Sequence, residues 1–273
     1  MAISDISLTS GMRNNLMQLQ NTSTLVARTQ ERLATGRKVN TALDNPTNYF
    51  AAQSANNRAG DLGIRKDGMA EAIQTVKASD AGVSAITSLV EAAKGLAAAA
   101  LGTSSTIDRA AFAGQFATLL TQINSLGSDS GYRGTNLLGG ATMTVTFNEN
   151  ASSTLKVNGF TASNIGLSIA APVASWSNAG DGDITMSQAN LATATNELRN
   201  QSKNLANNLN IITSRQTFTD NMISTLQTGA NNLTLADMNE EGANMLMLQT
   251  RQSLGTTALS LSSQAAQSVL RLF

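Results

Sequence analysis

The sequence predicts a mainly α fold, an elongated helical rod with paired terminal coiled-coil helices and a small β-containing insert in the middle. Three observations lead there. Apolar residues recur at helical spacing over most of the chain outside residues 136–185. Aromatic residues make up only 4% of the 273, so Ala, Leu, Ile, Val and Met must fill the core, which suits close contact between helices. Between residues 134 and 196 the only charged side chains are Glu149, Lys156, Asp181 and Asp183, and there the helical period gives way to alternation.

Near the start, Leu8, Met12, Leu16, Leu19, Ser23, Val26, Gln30 and Leu33 follow a 4-3 spacing. The residues alone admit a heptad seam with polar entries or an ordinary amphipathic surface helix. Gly36 is a stop signal, and Asn45-Pro46 marks a turn, with Asp44 suited to accept from backbone amides there. Beyond Arg58, Gly60 and Gly63 precede a long helix over residues 64–101, followed by a polar joint and a third helix over 107–126. Met143, Val145 and Phe147 alternate with threonines, and Leu155 and Val157 flank Lys156, a pattern that predicts a hairpin; residues 165–169 offer a further strand. Trp176, the single tryptophan, suits a buried anchor for this insert better than an exposed binding aromatic.

Helical spacing returns over residues 187–228, and 229–237 form a joint. The last helix, 238–273, carries Met247, Leu254, Ala258, Leu261, Ala265, Val269 and Leu272 as an apolar stripe. At 1.5 Å per residue it spans about 50 Å, more than one partner hides, and the Met12–Leu33 helix is its expected partner.

Composition removes most catalytic plans. The chain holds no His and no Cys, which excludes disulfides, imidazole catalysis and Cys- or His-based metal centres. Asp181-Gly182-Asp183 lacks the longer ligand series and terminal acid of a calcium loop. No paired acids or nucleophile-base constellation stands out, so no enzyme activity, cofactor or metal is expected. With 18 basic and 18 acidic residues there is no footprint for nucleic acid. Neither a cleaved signal peptide nor an uninterrupted apolar run of 18 residues is visible, so membrane insertion is not expected.

Three segments carry a resemblance: QERLATGRKVNTALDNP at residues 30–46, YRGTNLL at 132–138, and the stretch from LADMN at 235–239 to LRLF at 270–273. In these the chain resembles the bacterial flagellins, in particular those of alphaproteobacteria. The resemblance implies a structural subunit that polymerises into the helical flagellar filament used for motility. It implies an inner terminal coiled-coil domain of residues 1–40 and 237–273, a helical rod domain of 41–135 and 186–236, and a small outer solvent-facing insert of 136–185. Leu8, Met12, Leu16, Leu19, Val26, Leu33, Leu254, Ala258, Leu261, Ala265, Val269 and Leu272 would pack the filament core, and Arg32, Arg37, Asp44, Arg58 and Glu241 would make polar contacts between subunits. The partners implied are the chain itself in an open helical homopolymer, hook-filament junction and cap proteins, a flagellin export chaperone and the type III export apparatus. The location implied is the extracellular filament, reached without a cleaved signal peptide. A junction protein shares paired terminal helices but usually carries a larger middle region.

Overall fold

The computed structural model describes residues 10–172, 174–177 and 181–270. In order it holds helices α1 (Ser10–Thr35), α2 (Pro46–Leu101) and α3 (Thr106–Asp129), strands β1 (Thr142–Thr146) and β2 (Thr154–Asn158), a 3₁₀ turn (Ala174–Ser177), then α4 (Gly182–Thr234) and α5 (Met238–Leu270). The chain divides into two compact units: residues 1–57 with 226–273, and residues 58–225.

The unit of residues 58–225 has a continuous apolar core. From α2 it takes Met69, Ile73, Val76, Val83, Ile86 and Val90, spaced three, four or seven apart, and from α4 Leu191, Ala194, Leu198, Leu205 and Ile212. Ser79 is the one polar side chain on that α2 face to be fully enclosed, and it spends its hydroxyl on Thr75 O at 2.9 Å. Contrary to expectation α2 is unbroken at Gly60 and Gly63. Each glycine costs a helix about 1 kcal/mol, but buried Ala59, Leu62 and Met69 continue the helical spacing through both, and this packing holds the helix. One 18-residue window of α2 reaches a mean hydropathy of 1.3, enough by length and composition to cross a membrane, although no run of that length is uninterrupted; 33% of the window is buried in the protein.

Ser105 caps α3, accepting from Asp108 N at 3.3 Å. Next to the cap, Arg109 is enclosed and donates to Thr103 O at 2.8 Å and Asp181 Oδ1 at 2.6 Å, which fastens the start of α3 to the start of α4. Asp181 is therefore an ion-pair partner, and no cluster of three acidic residues suited to a metal occurs among the described residues.

After α3 the chain turns on Arg133 (φ 47°) and Gly134 (φ 84°), with Tyr132 and Thr135 exchanging both backbone bonds at 2.9 Å. Asn136 then uses its whole amide: Nδ2 donates to Gly127 O and Ser128 O at 2.8 and 2.9 Å, and Oδ1 accepts from Leu138 N and Gly139 N at 2.9 and 3.1 Å. This clamp delivers Leu137 and Leu138 fully into the core.

The hairpin forms as expected, antiparallel with Met143 opposite Val157 and Val145 opposite Leu155, the apolar pairs sharing one face. At its tip Glu149 pairs with Arg58; its own backbone N–H, and then Arg58, hold the carboxyl below its usual pKa. Residues 165–169 are not a strand. Ile169 N bonds back to Asn164 O at 2.8 Å and Ser168 sits at φ 55°, so alternating Leu167 and Ile169 enter the core from a tight turn while Ile165 stays 83% exposed. Trp176 is fully buried, with its ring 5.0 Å from Phe116. α4 begins before the expected Ser187 and runs through Gly229 to Thr234, because buried Ser187, Ala230 and Thr234 keep its inner face occupied.

Two glycines of α2 should respond oppositely to alanine. A Cβ on Gly82 would lie 2.7 Å from Ser130 Cβ and 2.8 Å from Leu138 Cδ2, whereas one on Gly60 meets nothing within 4 Å. Gly82→Ala is expected to destabilise by about 1–3 kcal/mol through overpacking, and Gly60→Ala to stabilise by roughly 0.5–1 kcal/mol. Urea unfolding of the two variants checks both signs.

Candidate functional site

In the unit of residues 1–57 and 226–273, α1 and α5 lie against each other. Two contacts fix their direction. A Cβ on Gly255 would come 3.1 Å from Leu19 Cγ, so Leu19 seats over the glycine; farther along, Arg32 Nη1 bonds Glu241 Oε1 at 2.7 Å. As α1 advances from 19 to 32, α5 recedes from 255 to 241, and the pair is antiparallel. This register sets Val26 level with Leu248 and Thr22 level with Gln252.

The seam differs from the one expected. On α1 the covered positions are Met12, Asn15, Leu19, Thr22, Val26, Thr29 and Leu33, so Met12, Leu19, Val26 and Leu33 keep their places, while Asn15, Thr22 and Thr29 stand where Leu16, Ser23 and Gln30 were expected. Thr22 is buried because its hydroxyl donates to Gln18 O at 2.8 Å, which satisfies the polar atom and turns the methyl to the partner. Leu16 and Leu25, 39% and 44% exposed, flank the seam.

On α5 the covered series is Glu241, Met245, Leu248, Gln252, Gly255 and Leu259, an unbroken 4-3 spacing. The expected stripe lies elsewhere. Met247, Leu254 and Leu261 sit roughly 120–160° round the helix from the seam at 100° per residue, and are 50%, 66% and 61% exposed, with Leu246 at 67%. Ala258 is half-covered beside Leu259, and Ala265 is exposed. Helix α5 thus has two apolar faces, and α1 takes the less apolar one. Leu8 and Leu272, with the side chain of Val269, lie outside the described residues.

A strap closes the open end of this pair. Gly36, at φ 68°, ends α1 and accepts from Ala236 N at 3.0 Å; Lys38 N donates to Thr234 O at 2.8 Å, and Arg37, itself exposed, bridges Leu235. Asp44 accepts from Asn40 N and Thr41 N at 3.0 and 2.9 Å, and these amides hold its carboxyl below the ordinary range. Asn45 caps α2 through Asn48 N at 3.0 Å with Pro46 at the first helical position, and Asp237 caps α5 through Asn239 N at 2.9 Å. The strap, Arg32, Glu241 and Arg28 line a polar hollow of about 500 Å³. Of the five polar residues singled out, Arg32 and Glu241 pair together, Asp44 serves its own loop, Arg37 faces outward, and Arg58 belongs to the other unit with Glu149.

Sequence reasoning missed Gly255, Leu248 and the buried threonines. Their 4-3 spacing was present, but half of the positions are polar or lack a side chain, so hydrophobicity concealed it.

Residues 4–143 match the model of the bacterial flagellin N-terminal helical region. Over the full length of both chains, the sequence is 30% identical to flagellin FljM and 30% identical to flagellin FljK of Caulobacter vibrioides. It is 26% identical to the flagellin of Brucella melitensis over 94% of this chain and 95% of that one.

Two outcomes test the pairing. Arg32→Ala strands the Glu241 carboxylate, whose side chain is 9% exposed, and should cost about 1–3 kcal/mol in urea unfolding; Glu241→Ala in the same background should cost little further. A carboxyl with a depressed pKa lends stability above its unfolded pKa and loses that contribution as pH falls through the folded value, so the wild type should weaken in acid below the ordinary 3.8 of Asp44. Asp44→Asn should flatten that part of the curve of melting temperature against pH; an unchanged acid limb would show that the strap does not depend on this charge.

Proposed function

The chain belongs to the bacterial flagellin family, and we propose that it is a subunit that polymerises into the helical flagellar filament used for motility. The family is structural and filament-forming, not catalytic, and its place is the extracellular filament. The observation that carries the finer reading is the second face of α5. Leu246, Met247, Leu254 and Leu261 are exposed although α1 already packs against the helix, and a contiguous apolar strip of this kind marks a surface for association. Copies adding repeatedly by contacts that do not close give an open helical polymer.

In this reading residues 1–40 and 237–273 form the inner layer, 41–135 and 186–236 the rod around it, and 136–185 the outer insert. Met12, Leu16, Leu19, Val26, Leu33, Leu254, Ala258, Leu261 and Ala265 pack the filament core, joined by Leu8, Val269 and Leu272. Arg37, exposed and bound to the strap only through its backbone, is the freest of the polar contacts, while Arg32, Asp44, Arg58 and Glu241 shape the surfaces that neighbours meet. The remaining partners are hook-filament junction and cap proteins, with an export chaperone and the type III apparatus delivering the chain without a cleaved signal peptide.

Seeded elongation followed by electron microscopy tests this. Leu261→Asp should leave the circular dichroism of the monomer unchanged, since the side chain is 61% exposed there, yet raise the concentration needed for elongation by about 10–100-fold by placing a charge in an apolar interface. Ser163→Asp should elongate normally, because Ser163 Oγ only accepts from Gly166 N and a carboxylate can do the same. Equal elongation of both variants would remove α5 from the interface.

A further inference from the structure

We propose that the concavity between α2, β1 and the turn at residues 132–135 is an oxyanion-binding site centred on Arg65. The hollow measures about 450 Å³, within the size range of ligand pockets, and lies wholly in the unit of residues 58–225. Arg65 lines it from α2, with a buried Nε–H that meets no acceptor. One terminal nitrogen makes a single long bond, 3.4 Å, to the carbonyl oxygen of Glu149. Among the described residues no carboxylate pairs with this guanidinium, because Glu149 is held by Arg58 and Glu71 is held by Arg133 at 2.7 Å.

Charge in the hollow is therefore unbalanced. Arg65 and Arg133 line it against the one acid Glu71, which leaves one positive charge over. A buried donor without an acceptor is rare in native proteins and asks for a physical reason. An anionic oxygen in the hollow would be held by the guanidinium, whose fork is shaped to bind two oxygens of a planar or tetrahedral oxyanion at once. The wall around it suits such a ligand, since the polar residues Tyr132 and Thr135 line it beside Arg133 and no further acid does. The ligand class is a carboxylate, sulfate or phosphate oxyanion. Its source is a free anion or the acidic side chain of a second copy of this chain, and the second source rests on the polymerisation proposed above.

Phenylglyoxal modification of the full-length protein, read by peptide mass spectrometry, tests the site. Arg65 is compared with Arg199, which is exposed on α4, in chloride and in inorganic sulfate at matched ionic strength. Sulfate should slow Arg65 in the monomer saturably, by about tenfold once its concentration exceeds the Kd about tenfold, without slowing Arg199. In the polymer, an Arg65 that reacts in chloride and is protected by sulfate assigns the site to a free oxyanion, and an Arg65 already protected in chloride assigns it to a neighbouring chain. No slowing of Arg65 by sulfate in the monomer overturns the proposal, whatever the polymer shows. A chain that fails to polymerise contradicts the filament reading and leaves the monomer result standing.

Discussion

The antiparallel contact of α1 with α5 governs the unit formed by the two ends of the chain. It is made at one place by shape, Leu19 over Gly255, and at another by charge, Arg32 on Glu241. Along its length the seam is mixed, with Asn15, Thr22, Thr29 and Gln252 among its covered positions. Burying apolar surface contributes about 25 cal/mol per Å², and a seam in which every second or third position is polar collects little of it. The contact selects a register without using up the apolar surface of α5. The larger side chains remain on the face turned away.

The unit of residues 58–225 is built on a different principle. Its helices meet through small residues, with Ala93, Ala97, Ala100 and Ala194 fully enclosed, and its loops approach so closely that added methyl groups have no room. A Cβ on Gly127 would fall 2.9 Å from the carbonyl oxygen of Ala162, and one on Gly159 would overlap the carbonyl oxygens of Ala141 and Leu137. Such a core satisfies itself. The unit of residues 58–225 thus has a continuous core of its own, whereas the second face of α5 has no cover within its unit, which is the arrangement the proposed filament subunit requires.

Much of this was legible in the sequence, and each failure has its own physical cause. The helices of the middle, the hairpin and the burial of Trp176 follow from spacing that packing within one chain enforces. Met12, Leu19, Val26 and Leu33 were legible as the α1 seam for the same reason. The α5 partner face was not, because spacing arguments choose the more apolar of two faces, and here the more apolar face is the exposed one. Gly255 gives no hydrophobic signal at all, and its use appears only when Leu19 is placed over it. The break expected at Gly60 and Gly63 assumed that propensity decides, where the packing of Leu62 and Met69 decides instead. The strand expected at 165–169 rested on an alternation that a tight turn also produces. Arg65 carried no signal, since its lack of a carboxylate partner is a fact of tertiary structure.

In the proposed filament, α5 offers one face to its own chain and the other to neighbouring chains. Because the protein contains no cysteine, a single thiol can report on it. Thiol labelling of Leu261→Cys in monomer and in filament, with Thr154→Cys in the hairpin as reference, reads the cover of that second face. The thiol at position 261 should react freely in the monomer and be protected in the filament, while the one at 154 should react in both. A thiol at 261 that stays equally reactive in the filament would contradict this arrangement.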